Sequence, residues 1–318
     1  MSTPHETREP GRFGPPSYRY PPEALARAPD LVAETLYAVG GLYGNPFALE
    51  SVLALASEEP GPVTIVFNGD FNWFNVDRAS FASINETVLR HRALRGNVET
   101  ELSNDAGGAD CGCAYPDSVG DAEVARSNEI VVRLRSAAQP FPALRCALAR
   151  LPMHLVAAVG GLRIGIVHGD AESLAGWSYT PEALTARDGM NRLHSHFIVA
   201  DLDAIASTHT CRPLAATVDK GGRRRVLVNN GAAGMPNFRG DLRGLITRVS
   251  TRPSDGALYR ASIGSVCIEA LPVPYDHARW VEAFLANWPE GSPAHRSYFG
   301  RITEGTAFDI RAASAALT

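Results

Sequence analysis

The sequence lacks several features that define large classes of protein. Within its 318 residues, no apolar run approaches the roughly 18–20 residues that a membrane helix needs. Residues 1–22 are polar and rich in proline and glycine, with no apolar signal-peptide core. No internal repeat is present. We therefore expect no membrane association and a cytoplasmic location.

Positive charge and paired cysteines are scarce as well. The chain has 30 Lys and Arg against 34 Asp and Glu, a formal net charge of -4. This balance gives no basic footprint, so we expect no stable nucleic-acid partner, and an anionic substrate would need local cations or a metal. The five cysteines are odd in number and irregularly spaced, which favours a reducing cytoplasm over a disulfide framework.

What is present is the composition of a globular protein, with 45% hydrophobic and 20% charged residues. Apolar runs at 35–39 and 63–67 predict buried strands that end at Gly40 and Asn68. Asn45 is a favourable N-cap and Pro46 a favourable first residue for a helix over 46–58, where apolar residues recur at helical spacing. A second helix is predicted around 81–88. Alternating strands and helices are typical of an α/β sheet.

The second half of the chain predicts mainly strands. Residues 105–120 are rich in Gly, Asp and Cys and predict an inserted loop, followed by a helix over 121–136. Two hairpins are predicted, from 154–159 with 162–167 and from 214–218 with 224–228. Further strands are expected at 204–207, 246–250 and 262–271, and a final helix at 277–288.

These elements predict an α/β fold of two packed mixed β-sheets flanked by helices. We expect a single domain over residues 31–290, with an insertion at about 100–150. Residues 1–30 would be an N-terminal extension, loose or strapped along the surface. Residues 291–318 would be a C-terminal tail.

Polar residues suited to a metal follow four of the predicted strands. They are Asp70, Asn97, His168 and His209. Ligands in α/β folds gather at the carboxyl ends of strands, so these side chains are expected to converge. Imidazole suits Zn, Fe, Ni and Cu, and oxygen ligands suit Mn, so the four residues are a plausible site for one divalent transition metal. The alternative is that each caps a helix or has a structural role.

Five segments together resemble a known family. Residues 39–45, 69–70, 96–99, 167–169 and 208–213 resemble, in order, the five signature blocks of the calcineurin-like metallophosphoesterases. The similarity covers about 35–276 and is greatest to small bacterial phosphodiesterases and dinucleotide polyphosphate hydrolases. It implies a four-layer sandwich in which two metals, bridged by one Asp, polarise a phosphoryl group and activate water.

The resemblance also implies that one of the two metal sites is degenerate. The bridging Asp matches Asp70, and the second metal's ligands match Asn97, His168 and His209. The other site's Asp and His are replaced by Gly41 and Tyr43, and the last His of the Gly-His-x-His block is replaced by Cys211. We therefore expect one divalent ion per chain, Mn, Fe, Zn or Ni.

For several other residues the sequence is compatible with more than one role. The His that protonates the leaving group in the family is Val98, so Tyr43 or His194 would have to donate that proton. Arg212, beside His209, is a potential phosphate clamp because its planar fork matches phosphate oxygens. Asp170 either orients a ligating imidazole or is exposed.

The cysteines admit two interpretations. Cys211 could bind metal as a thiolate, rebuilding the first site with Tyr43, or could be a small filler. Cys111 and Cys113 could fold over to join it, although Cys-x-Cys is a weak metal signal and a simple loop is favoured. His194 and His196 are expected in a solvated turn.

These observations predict a metal-dependent phosphoesterase that acts on a phosphate monoester, diester or nucleotide, with Asp70, Tyr43 and Arg212 in catalysis. One alternative is an impaired phosphoesterase-fold protein that binds a metal or a phosphorylated ligand. The other is a metalloenzyme of a different reaction class that uses the Tyr43–Cys211 side as its pocket.

Overall fold

Two six-stranded sheets lie at the centre of the protein in the computed structural model, which describes residues 9–104 and 110–314. The strands are β1 (Leu31–Ala33), β2 (Thr35–Val39), β3 (Val63–Asn68), β4 (Arg92–Leu94), β5 (His154–Val159), β6 (Leu162–Val167), β7 (Ala204–Ser207), β8 (Leu214–Lys220), β9 (Arg223–Asn229), β10 (Gly244–Ser250), β11 (Tyr259–Ile263) and β12 (Val266–Val273). The α-helices are α1 (Pro46–Ser57), α2 (Arg78–Val88), α3 (Asn97–Ser103), α4 (Asp121–Ala138), α5 (Pro142–Ala149), α6 (Pro181–Thr185), α7 (Gly189–Val199), α8 (His277–Asn287), α9 (Pro293–Glu304) and α10 (Ile310–Ser314). Two 3-10 helices, Pro16–Tyr18 and Pro22–Leu25, precede them.

Both sheets are mixed. Sheet I has the order β4-β3-β2-β10-β12-β11, and sheet II has the order β1-β5-β6-β7-β9-β8. In sheet I, β2, β3 and β4 run parallel, and the remaining pairs are antiparallel. In sheet II, β6, β7 and β9 run parallel, so the carboxyl ends of β6 and β7 lie side by side.

The two sheets pack face to face and are covered by helices on their outer faces. Aliphatic side chains such as Leu36 and Val66 of sheet I meet Ile164 and Ile166 of sheet II in a continuous buried cluster. The outer face of sheet I packs on a second cluster with α1, α2, α4, α8 and α9, and the outer face of sheet II packs on α6 and α7. The predicted sandwich of two mixed sheets between helical layers is confirmed.

Several local predictions are confirmed because their signals are strong and short in range. The Asn45 side chain accepts a hydrogen bond from the Ala48 N–H at 3.0 Å, which caps α1, and Pro46 is its first residue. The two hairpins, β5–β6 and β8–β9, have the predicted partners.

Other predictions are wrong. Residues 262–271 are not one strand, because a tight turn at Gly264, which has a φ of 56°, separates β11 from β12. Helix α8 is not the last helix, since α9 and α10 follow it. Ala294 and Ile302 of α9 are buried in the core on sheet I. This segment therefore packs against the domain rather than forming a separate tail.

The described part of the N-terminal extension, residues 9–30, is strapped onto the domain, because Tyr18, Tyr20 and Leu25 are buried. Residues 1–8 of the predicted extension, 105–109 of the predicted inserted loop and 315–318 of the predicted tail lie outside the described residues. No helix in the described ranges is long and apolar enough to cross a membrane.

Candidate metal centre

The four residues expected to bind metal meet where strands of the two sheets end. Asp70 lies two residues after β3, and Asn97 is the first residue of α3, shortly after β4. His168 directly follows β6, and His209 lies two residues after β7. All four side chains are buried. The sandwich thus brings together ligands from both sheets.

The distances between their donor atoms fit one coordination sphere. The Nε2 atom of His168 lies 3.3 Å from Asp70 Oδ1, 3.2 Å from Asn97 Oδ1 and 3.2 Å from His209 Nδ1. The edge of a tetrahedron whose metal–ligand bonds are 2.0–2.1 Å long is about 3.3 Å. Asp70, His168 and His209 form a compact buried group in which each offers a ligand atom within 4.8 Å of the others.

Backbone carbonyl groups fix which atoms face the centre. The Nδ1–H of His168 donates to the Asn68 carbonyl at 2.9 Å, and the Nε2–H of His209 donates to the Cys113 carbonyl at 3.0 Å. Because a carbonyl oxygen can only accept, the other nitrogen of each neutral ring presents a lone pair. The Asn97 amide donates to the Cys111 carbonyl at 3.0 Å, which turns its oxygen inward.

Four electron-pair donors therefore point at one another. A proton on His168 Nε2 could satisfy only one of the three acceptor atoms around it, whereas a cation would satisfy all four groups at once. The residues present fit a single divalent metal ion, and their mixture of imidazole and oxygen ligands suits a transition metal.

The titration behaviour of the ligands follows from their burial and mutual charge. Burial raises the pKa of the Asp70 carboxyl, but the charge of His168 and its hydrogen bond lower it by a larger amount. The pKa of Asp70 therefore lies below its usual range. Burial lowers the pKa of His168, but Asp70 raises it more. Burial and the charge of His168 bring the pKa of His209 down to about 4, so this ligand is neutral at pH 7.

Close backbone approaches depend on two glycines. Gly69 has a φ of 77°, and a Cβ there would lie 2.6 Å from His168 Nδ1. A Cβ on Gly96 would lie 2.2 Å from Asp70 Oδ1. The buried Glu99 carboxylate joins these loops, since it accepts from the Asp70 N–H at 2.7 Å and the Gly96 N–H at 3.0 Å. Burial and the charge of Asp70 raise the pKa of Glu99 to about 7.

The side of the degenerate metal site is filled by Tyr43. Its hydroxyl contacts the Cys211 thiol, and its ring lies 3.1 Å from the position that a Cβ on Gly41 would take. Burial raises the pKa of both the phenol and the thiol, and the charge of Cys211 raises the pKa of the Tyr43 phenol further. Both groups therefore resist the ionisation that would make them good metal ligands. Within the described ranges, the buried metal-ligand group contains Asp70, His168 and His209 and not Cys211.

A cavity of about 170 Å³ opens beside the four ligands. Five of the fourteen described residues that line it are Tyr or Trp, and it also contains one glutamate and one arginine. The lining residues beyond Asp70, Asn97 and His209 include Tyr43, Trp73, Tyr115, Glu123, Trp177, Cys211, Tyr298 and Arg301. Tyr298 and Arg301 come from α9, which was predicted as tail, and no signal in the sequence connects them to the signature segments.

Two basic residues expected at the site lie elsewhere. Arg212 forms an ion pair with Glu182 at 2.8 Å and borders a neighbouring groove of about 330 Å³. His194 lies on α7, beside a different groove on the β8–β9 hairpin. The predicted solvated turn at 194–196 is wrong, since these residues are helical and His196 is buried, with Nδ1 3.0 Å from the Tyr179 hydroxyl.

Three further interpretations change. The Asp170 carboxylate accepts from the N–H groups of Glu172 and Ser173, both at 2.9 Å, and carbonyl groups orient the imidazoles instead. Cys111 and Cys113 are buried free thiols whose carbonyl groups hold Asn97 and His209, and the Cys113 Sγ also accepts from the Asn97 amide at 3.6 Å. Val98 is buried and cannot donate a proton from its side chain, although its N–H bonds Asp70 Oδ1 at 3.3 Å.

Comparison with known proteins identifies the fold. No family model matches the sequence, and no curated protein matches it. A metallophosphoesterase from Sphaerobacter thermophilus matches 86% of this chain and 100% of its own, with 18% identity and a TM-score of 0.55. A hypothetical protein from Pyrococcus horikoshii OT3 matches 87% of this chain and 100% of its own, with 15% identity and a TM-score of 0.55. The chain has the fold of these two proteins, the first of which is a metallophosphoesterase, in agreement with the fold that the resemblance implied.

Proposed function

We propose that this protein is a metal-dependent phosphoesterase with a mononuclear centre. The observation that carries the proposal is the convergence of Asp70, Asn97, His168 and His209 on one point beside a cavity. A divalent ion held by these residues would polarise a phosphoryl oxygen and activate water. The substrate would be a small phosphate monoester, diester or nucleotide, and we expect no stable nucleic-acid partner.

The chain's own residues would orient the substrate and exclude water. The cavity of about 170 Å³ is smaller than the roughly 300–1,000 Å³ of pockets that enclose whole ligands, so it would admit a phosphoryl group while the ester substituent stays outside. Trp73, Trp177 and Tyr298 line it with aromatic surface. This surface lowers the local dielectric constant and strengthens every charge interaction with the phosphoryl group.

Tyr43 would be a weak substitute for the missing general acid. Burial and the charge of Cys211 hold the pKa of its phenol well above the usual value, so the hydroxyl stays protonated at pH 7 and can donate a hydrogen bond. An acid this weak transfers its proton poorly, and loss of a matched general acid typically costs about 10²–10⁴ in rate. We therefore expect fast turnover only for esters with good leaving groups.

A panel of activated aryl phosphate monoesters and diesters, assayed with metal-loaded protein, tests the proposal. Asp70→Asn and His209→Ala should each weaken metal binding and lower turnover at least about 10²-fold, because the first replaces a charged carboxylate by a neutral amide and the second deletes an imidazole of the buried centre. The matched controls are Asp219→Asn and His194→Ala, which change the same residue types on the distant β8–β9 side.

The same panel tests a second possibility, a binding protein that lacks phosphoesterase activity. The presence of Val98 favours it, because this residue occupies the position of the family's proton donor. A protein that binds about one metal ion per chain through Asp70 and His209 yet hydrolyses no ester in the panel would be a phosphoesterase-fold binding protein. If both ligand variants turned over substrate at the wild-type rate, the reaction would not take place at this centre.

A further inference from the structure

Arg301 lies on the side of the cavity where the ligands of a second metal are missing. It lines the same cavity as Asp70 and His209, together with Tyr43 and Cys211. With Gly41 and the Tyr43 ring on that side, the described residues there offer no ligand set for a cation. Among the described residues that line the cavity, Arg301 is the only lysine or arginine, so its guanidinium is the group that can pair with an anion there.

The position of Arg301 is held by neutral groups. Its Nε–H donates to the Pro236 carbonyl at 2.9 Å, and an Nη2–H donates to Asn237 Oδ1 at 3.4 Å. These bonds use only part of the donors of a guanidinium group. They also hold the Arg301 guanidinium against the loop that follows β9, so the side chain is positioned before a ligand binds.

Arg301 has no carboxylate partner among residues 9–104 and 110–314, although it is only partly exposed. A partly desolvated cation without a counterion is costly, and an anion that enters the cavity would remove that cost. Arg301 and Cys211 also border the groove of about 330 Å³, and none of the eight described residues that line this groove is acidic. The groove side of Arg301 therefore has no carboxylate among the described lining residues, whereas the cavity side contains Asp70 and Glu123.

We propose that the Arg301 guanidinium binds the phosphoryl group of the substrate from the Tyr43–Cys211 side and supplies there the positive charge that a second metal ion would otherwise supply. The planar fork of arginine matches two phosphate oxygens, and such charge-assisted bonds are among the strongest in proteins. Arg301 would then be a catalytic residue that contacts the substrate directly. This inference rests on the proposed phosphoesterase function.

The test uses the metal-loaded full chain with Arg301→Gln, Arg301→Lys and Arg301→Ala. The control is Arg296→Gln, an exposed arginine of the same helix. Arg301→Gln should weaken binding of inorganic phosphate, measured by titration calorimetry, about 10- to 100-fold. It should lower kcat/KM for an aryl phosphate about 10²- to 10³-fold. Metal content should stay unchanged, and Arg296→Gln should change neither quantity.

Chemical rescue separates a charge role from a structural one. Methylguanidinium, but not urea, should restore part of the phosphate binding and turnover of Arg301→Ala, and Arg301→Lys should retain an intermediate affinity. Unchanged phosphate affinity in Arg301→Gln, or a loss that methylguanidinium does not restore in a folded, metal-loaded variant, would overturn the inference. Arg301-dependent phosphate binding without hydrolysis of any ester would sink the proposed function alone, and hydrolysis indifferent to Arg301 would sink this inference alone.

Discussion

At the scale of single residues, the centre depends on carbonyl groups as much as on its ligands. The Cys111 and Cys113 carbonyls hold Asn97 and His209, and the Asn68 carbonyl holds His168. Each of these bonds selects the atom that would face a bound metal ion. The loop at 111–113 therefore acts on the centre mainly through its backbone, and the identity of the side chain at Cys111 should matter little.

Gly112→Ala tests this role of the loop. Gly112 has a φ of 65°, and a Cβ there would lie 2.4 Å from the Tyr18 hydroxyl, so alanine should displace the neighbouring carbonyls. We expect metal affinity to fall about 10- to 100-fold, as for loss of groups that orient ligands. Metal titration should detect this change, whereas Cys111→Ser should leave the affinity nearly unchanged because it keeps the carbonyl. A large loss in Cys111→Ser would mean that the thiol itself binds metal.

The convergence of the four candidate ligands could be predicted from the sequence because each follows a recognisable strand, and three of them adjoin a glycine, Gly69, Gly96 or Gly169. Arg301 could not, because its position depends on how α9 packs against the core, and that packing leaves no short pattern in the chain. The sequence likewise gives no sign that Arg212 pairs with Glu182 and borders the neighbouring groove instead of lining the cavity.

At the scale of elements, α9 closes the cavity and belongs to the core. It supplies Tyr298 and Arg301 to the cavity while burying Ala294 and Ile302. Its N-cap is Ser292, whose side chain accepts from His295 N–H. The segment predicted as a tail therefore contains a helix that packs in the core.

Ile302→Ala measures how firmly α9 is attached. Ile302 is fully buried, so the substitution should lower the free energy of unfolding by about 2–5 kcal/mol through lost burial and a cavity. Urea unfolding provides the measurement. Ile198→Ala on α7 is the matched control, because Ile198 is 52% exposed and its loss should change stability by no more than about 0.5 kcal/mol. Equal effects in the two variants would mean that α9 is not packed as described.

The N-terminal extension, which packs against β5, gives a second prediction at this scale. The ring of His154, at the start of β5, lies 4.6 Å from that of Tyr20, and its Nδ1 lies 3.0 Å from an Arg27 Nη1 that donates to it. Burial and the charge of Arg27 lower the pKa of His154 to about 4. The unfolded chain, with an ordinary pKa of about 6.5, therefore binds more protons between these values.

The stabilising contribution of neutral His154 is thus complete above about pH 6.5 and is lost as pH falls toward 4. His154→Gln can still accept from Arg27 but does not titrate, so its free energy of unfolding should decline less over this range than that of the wild type. Urea unfolding of both proteins at several pH values makes the comparison. Parallel pH profiles would show that His154 does not couple the N-terminal extension to pH.

At the scale of the whole molecule, the sandwich creates the site. Sheet I supplies Asp70 and Asn97, and sheet II supplies His168 and His209, so neither sheet alone contains the centre. The order of strands and helices predicted this architecture because apolar strand runs and turn residues are local signals. The division of β11 from β12 and the packing of α9 required contacts between distant segments, which a single sequence does not specify.

The metal-to-protein ratio, measured by elemental analysis after saturation with Mn²⁺ and removal of the excess, tests the central claim most directly. The account predicts about one ion per chain, because Asp70, Asn97, His168 and His209 form a complete site whereas Gly41, Tyr43 and Cys211 do not. The combined variant Gly41→Asp, Tyr43→His and Cys211→His should raise the ratio toward about two, since it removes the Tyr43 ring and restores ligands. A ratio of about two in the unmodified protein would mean that Tyr43 and Cys211 bind metal, and would contradict the mononuclear centre.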